Sequence, residues 1–154
     1  MTYYHLAQIN IGRVRAPVDD PIMEGFMARL DAINALAEAS PGFVWRLQTD
    51  AGNATDIHVY EDERLLLNMS IWENIDALSE FTYKSLHAEP LRMRKDWFEK
   101  MDVPFVALWW IPVGHIPTAL EGKERLAHLH QHGPTARAFN FKTRFPMPEG
   151  EVAR

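Results

Sequence analysis

The chain has 154 residues, which is one domain's worth of polymer. Hydrophobic residues make up 47% and charged residues 24%, ordinary globular usage that argues against disorder. The net charge of −5 makes a nucleic-acid partner a poor expectation, and the lack of any cysteine removes disulfides, thiol nucleophiles and thiolate metal sites together.

Tyr3 to Ile11 alternates, with Tyr3, Ala7, Ile9 and Ile11 on one side and Tyr4, Leu6, Gln8 and Asn10 on the other. A period of two predicts a strand. The same opening segment has no basic leader, and no stretch of about eighteen apolar residues occurs anywhere, so a cytoplasmic protein with no membrane partner is expected. Asp19 and Asp20 before Pro21 predict a helix start, and Ile22, Phe26, Leu30, Ile33 and Ala37 continue it at helical spacing as far as Ser40-Pro41-Gly42. Phe43 to Gln48 alternates again. Asp50 to Asp62 predicts a polar hairpin loop with some strand character at Ile57 to Tyr60. Arg64 to Trp72 is the third strand.

Asn74 caps a predicted helix from Ile75 toward Leu86, and Pro90 divides it from a second helix over Leu91 to Met101. Phe105 to Ile111 is almost wholly apolar, as a strand covered on both faces must be. Thr118 with Glu121 reads as a capping box opening a helix that ends at Gly133-Pro134. Ala138 to Phe141 predicts a short last strand. A single domain over 1–145 with a C-terminal tail over 146–154 is expected.

The order predicts an α+β fold: a ferredoxin-like antiparallel sheet with helices on one face. Trp109 and Trp110 must point to opposite faces, because successive side chains of a strand alternate. Helices on one face cover only one of them, so a homodimer packed sheet to sheet is the expected cover for the other.

The segments PGFVWRLQ, SIWENIDALSEFTYKSLH, LWWIPVGHIPT and HGPTARAFNF resemble an uncharacterised family, domain of unknown function 3291. The resemblance implies a dimeric α+β barrel, in a superfamily that includes antibiotic-biosynthesis monooxygenases and haem-degrading oxygenases. It supplies no reaction, since the family's own function is not established. It also implies a ligand cavity between the sheet and its helices. The haem-degrading members use an Asn on the first strand and a His on the helix after the third, and Asn10 and His87 occupy similar places. Those members carry a Trp inside that helix, where this sequence has Phe81 and Tyr83.

Gln8, Asn10, Arg46, Gln48, Asn68 and Ser70 fall at alternate positions of three predicted strands and form a polar stripe if their registers agree. A bound ligand, or the water of a wet interface, could satisfy such a stripe. His87 near a helix C-terminus suits a cation at the negative end of the dipole; it also suits a general base or a haem ligand. His128, His130 and His132 lie in a last helical turn, where dipole capping explains them without a metal site, and none is expected. Trp72, Trp97, Trp109 and Trp110 fit core positions, and as indoles they also fit a flat aromatic ligand. His115 is expected in a loop after Pro112.

The resulting expectation is a small-molecule-binding homodimer of oxygenase-like type acting on a small apolar or aromatic substrate. Asn10 and His87 are the expected catalytic pair, and Trp72, Tyr83, Phe81, Arg46, Asn68 and Trp109 the expected substrate contacts. No cofactor is required if the substrate supplies the electron-rich carbanion that meets oxygen. A non-catalytic ligand-binding or structural dimer and a haem-binding protein acting through His87 are the alternatives.

Overall fold

The computed structural model describes residues 3–49, 52–55, 57–88 and 97–148, with the backbone alone at 85–88. Strand β1 runs Tyr4–Arg13. A single 3-10 turn, Pro21–Met23, leads into α1, Glu24–Ala39. Asp20 starts the turn as expected, its carboxylate accepting from the Ile22 N–H at 3.0 Å. Then follow β2 (Phe43–Arg46), β3 (Leu65–Trp72), α2 (Ile75–Ala88), β4 (Val106–Pro112) and α3 (Ala119–His132). Asn74 opens α2 by accepting from Ala77 N–H at 2.8 Å. Among the described residues, no helix is long and apolar enough to cross a membrane.

The strands pair in the order β2-β3-β1-β4, all antiparallel. Together with the two βαβ-type crossings this is the ferredoxin-like α+β fold expected from the element order. Cross-strand partners share a face, so the registers divide the sheet cleanly. Leu6, Gln8 and Asn10 lie opposite Trp72, Ser70 and Asn68 on one side and Trp110, Leu108 and Val106 on the other. Helices α1 and α2 cover this face: Ala37 and Leu78 pack with Leu6, Trp72, Leu108 and Phe139.

The reverse face carries Ala7, Ile9, Ile11, Leu67, Met69, Ile71, Ala107, Trp109 and Ile111. Its cover lies within the chain. Leu126 and Leu129 of α3 pack on it, with Ile57, Val59 and Tyr60 from the β2–β3 connection beside them. The helices therefore do not all share one face: within one chain α3 buries apolar surface on the side where a partner sheet was expected.

Two further differences concern local structure. Ile57 to Tyr60 forms no strand; its apolar side chains sit under α3, and Lys123 Nζ takes the Val59 carbonyl at 2.7 Å. The expected strand at Ala138 to Phe141 is reduced to a bridge between Leu108 and Phe139 at the outer edge of β4. Of the expected helix over Leu91 to Met101, positions 91–96 lie outside the described residues. Beyond them Trp97 packs with Met23 and Phe26, and Phe98 bridges to Val14.

Candidate functional site

Two apolar clusters lie beneath α1 and α2. One centres on Leu6, Trp72 and Leu108, the other on Leu66, Met23, Phe26 and Trp97. Between them the sheet is polar. Gln8 faces Ser70 and Asn10 faces Asn68 across β1 and β3, and α1 places Asn34 between the Phe26 and Ala37 levels. Gln8 and Ser70 are buried; Asn10 and Asn68 are half-buried.

These side chains form one hydrogen-bonded band. Gln8 Nε2 donates to Asn68 Oδ1 and to Ser70 Oγ, both at 2.8 Å. Asn10 Nδ2 donates to Gln8 Oε1 at 3.0 Å and to Asn68 Oδ1 at 3.2 Å. Trp72 Nε1 donates to Ser70 Oγ at 2.8 Å. The network sets each amide's orientation. It also leaves two groups over: Asn10 Oδ1 accepts from no described side chain, and Asn68 Nδ2 donates to none. At the β2 edge of the band, buried Arg46 donates from Nε to Glu38 Oε2 at 3.1 Å.

A concave region lies on the outer edge of the sheet. A groove of about 560 Å³ runs along β4 between α3 and the segment around Arg137, lined by Trp110, His115, Glu121, Arg125, His128 and Arg137 among others. Gly114, with φ at +96°, turns the chain so that His115 returns toward α3. There the imidazole Nε2 meets Glu121 Oε1 at 2.7 Å, while Trp109 Nε1 donates to Glu121 Oε2 at 3.0 Å. Glu121 N–H in turn donates to Thr118 Oγ1 at 3.1 Å. Half of the expected capping box thus forms. The carboxylate half is diverted to the indole and imidazole.

The family described as "Domain of unknown function (DUF3291)" matches residues 5–154. The chain belongs to that family. No curated protein matches it. Among solved structures, this DUF3291 chain is similar to PA3566 from Pseudomonas aeruginosa, with 16% identity, a TM-score of 0.47, and coverage of 76% of this chain and 99% of that one. It is also similar to SnoaB, a cofactor-independent oxygenase from Streptomyces nogalater, with 16% identity, a TM-score of 0.44, and coverage of 74% and 98%.

The DUF3291 fold brings some of the expected site residues together and separates others. Asn10 and Asn68 are cross-strand partners, and Arg46 lies on the same face opposite Ser70. Trp72 is 0% exposed, with Phe43 edge-on at 5.4 Å and Phe81 stacked at 5.0 Å, so its ring is enclosed by the core. Trp109 lies on the reverse face under α3, away from Asn10. Tyr83 is 65% exposed, two positions round the helix from inward Phe81. His87 falls in the last turn of α2, and its side chain lies outside the described residues; the haem alternative rests on that side chain. Glu121, Arg125 and Arg137 form part of the groove and carry no local sequence signal beyond the Thr118–Glu121 spacing.

Of the HLHQH rings, His128 and His132 lie 4.4 Å apart, while His130 turns away to another partner. His128 Nε2 meets Thr135 Oγ1 at 3.2 Å and His130 Nε2 meets the Pro104 carbonyl. Among the described residues no group of three His, Cys, Asp or Glu side chains is placed to hold a metal ion.

Proposed function

We propose that this DUF3291 chain binds a small organic molecule over the Asn10–Asn68 pair and acts on it as an oxygenase-like enzyme. The observation that supports this reading is the acceptor and donor left over on the two amides, Asn10 Oδ1 and Asn68 Nδ2. Half-buried polar groups of this kind draw a complementary partner, and a hydroxyl beside a carbonyl on a flat ring supplies one. Asn10 would accept from the substrate hydroxyl, and Asn68 would donate to its oxygen. Glu38 holds Arg46 at the β2 edge of the same band. His87 is assigned the proton: an imidazole removes it, and dioxygen oxidises the electron-rich anion, one oxygen atom forming a carbonyl on the ring and the other leaving as water with the two displaced hydrogens.

Binding and turnover are tested separately. Naphthol and dihydroxynaphthalene are titrated without oxygen, and oxygen uptake is then measured in air. Asn10→Ala and Asn68→Ala should each weaken binding by about tenfold, the equivalent of one charge-free hydrogen bond and its desolvation. His87→Ala should keep binding and stop oxygen uptake. Binding indifferent to both Asn substitutions overturns the site; binding without uptake in the unaltered chain leaves a ligand-binding protein and removes the enzyme.

Homodimer formation is a separate part of this proposal. It requires a surface other than the one α3 covers, and the exposed Val103 and Phe105 before β4 offer one. Sedimentation at twice the chain mass, reverting to one chain in Phe105→Asp, supports it; a single chain throughout removes it.

A further inference from the structure

The β4 groove holds two arginines, Arg125 and Arg137, and two carboxylates, Glu121 and Glu124. Its carboxylate Glu121 is engaged by His115 and Trp109. Its two arginines are not matched in that way. Arg125 uses Nη1 on the Arg137 carbonyl at 3.0 Å, and its guanidinium lies 6.0 Å from the Trp109 ring centre. Among the described residues, neither Arg125 nor Arg137 has a carboxylate within 4.0 Å, although Glu124 also lines the groove. Two guanidiniums so placed repel each other and share one concave surface. Along the same groove Trp110, Pro112 and Leu120 supply an apolar wall.

We propose that this groove is a second ligand site, one that binds an aromatic carboxylate with its charge between Arg125 and Arg137 and its ring against the Trp110 wall. A guanidinium matches a carboxylate with paired N–H donors, and two guanidiniums with no carboxylate in direct contact gain from receiving one. The wall accounts for a flat apolar body rather than a bare inorganic anion. Burial, His132, Arg137 and Arg125 together hold His128 below the usual imidazole range, with Glu121 and Glu124 as the opposing charges of the groove. An anion seated at the arginines must oppose that effect. The site lies along the edge strand β4, whereas the amide band spans the central strands β1 and β3, and it does not depend on that band.

The test uses the full chain at low salt, followed by amide and indole N–H resonances, with benzoate, neutral benzamide and inorganic phosphate as probes. Benzoate should give saturable shifts at Arg125, Arg137 and the Trp110 indole, and should raise the His128 pKa. Arg125→Gln and Arg137→Gln should each weaken benzoate by about tenfold. Arg137 is exposed, so its variant keeps the fold even if Arg125→Gln does not. Arg144→Gln, outside the groove, should change nothing. Benzamide binding as well as benzoate would overturn charge recognition. Phosphate matching benzoate would overturn the aromatic class, and no saturable benzoate shift would overturn the site. Asn10→Ala should leave all of these readings as they are, which separates this site from the one proposed above.

Discussion

Glu121 shows how one residue's role changes when the chain folds. Its spacing from Thr118 marks a helix start, and Thr118 does cap α3. Yet the carboxylate faces an indole N–H of a Trp that is 0% exposed. Removing the acceptor strands a buried donor. Glu121→Ala should therefore destabilise the protein by about 1–3 kcal/mol, read as a lower urea midpoint, while Glu121→Gln, which keeps an oxygen there, should lose less. His128 gives a pH signature. Partial burial and the neighbouring His132, Arg137 and Arg125 lower its pKa from 6.5, against the cationic capping role expected from its place near the helix C-terminus. The unfolded chain then binds this proton more readily than the folded one. Stability should fall as pH drops below about 6.5, with the loss complete below the folded pKa. In His128→Gln the slope of urea midpoint against pH in that window should flatten; an unchanged slope would refute the assignment. Phe81 and Tyr83 mark a distinction the sequence did contain: Leu78 and Phe81 are three apart on the inward face of α2, and two further positions turn Tyr83 outward.

At the scale of elements, α3 is the one whose location local pattern could not supply. Its buried residues Gly122, Leu126 and Leu129 follow helical spacing, which identifies an inward stripe without saying which sheet face receives it. Gly122 records how close the approach is: a Cβ there would come within 2.8 Å of Met69 Sδ and 2.9 Å of Ile9 Cδ1. Those are flexible tips and can yield to a methyl group, but not to a branched side chain. Gly122→Leu should cost about 1–3 kcal/mol in a denaturation series, through overpacking between helix and sheet. The β2–β3 connection was misread for a related reason. Ile57, Val59 and Tyr60 look strand-like because β-branched and aromatic residues fill three of four positions. They are apolar because α3 and the sheet enclose them, and no neighbouring strand pairs with them.

For the whole molecule, the decisive fact is that both faces of one sheet are covered from within a single chain. A chain ending at residue 116 would keep all four strands and lose α3. It would bare Ile9, Met69, Ile71 and Trp109, which are at most 1% exposed in the intact protein. Such a truncation should associate or precipitate at concentrations where the full chain stays dispersed, as size-exclusion chromatography would show. A truncated chain eluting as a folded single subunit would mean that α3 contributes little to the cover.

The sequence by itself determined the strands, the long helices, the α+β class and the polar stripe, because period two and period 3.6 are properties of neighbouring residues. It also made Asn10 and Asn68 candidates for one face. Only the tertiary structure decided that those two residues pair, that Trp109 belongs to the opposite side, and that α3 takes the place expected for a partner. It alone gathered His115, Glu121, Arg125 and Arg137 around a groove. Register and helix docking depend on contacts between distant parts of the chain, which no local period encodes.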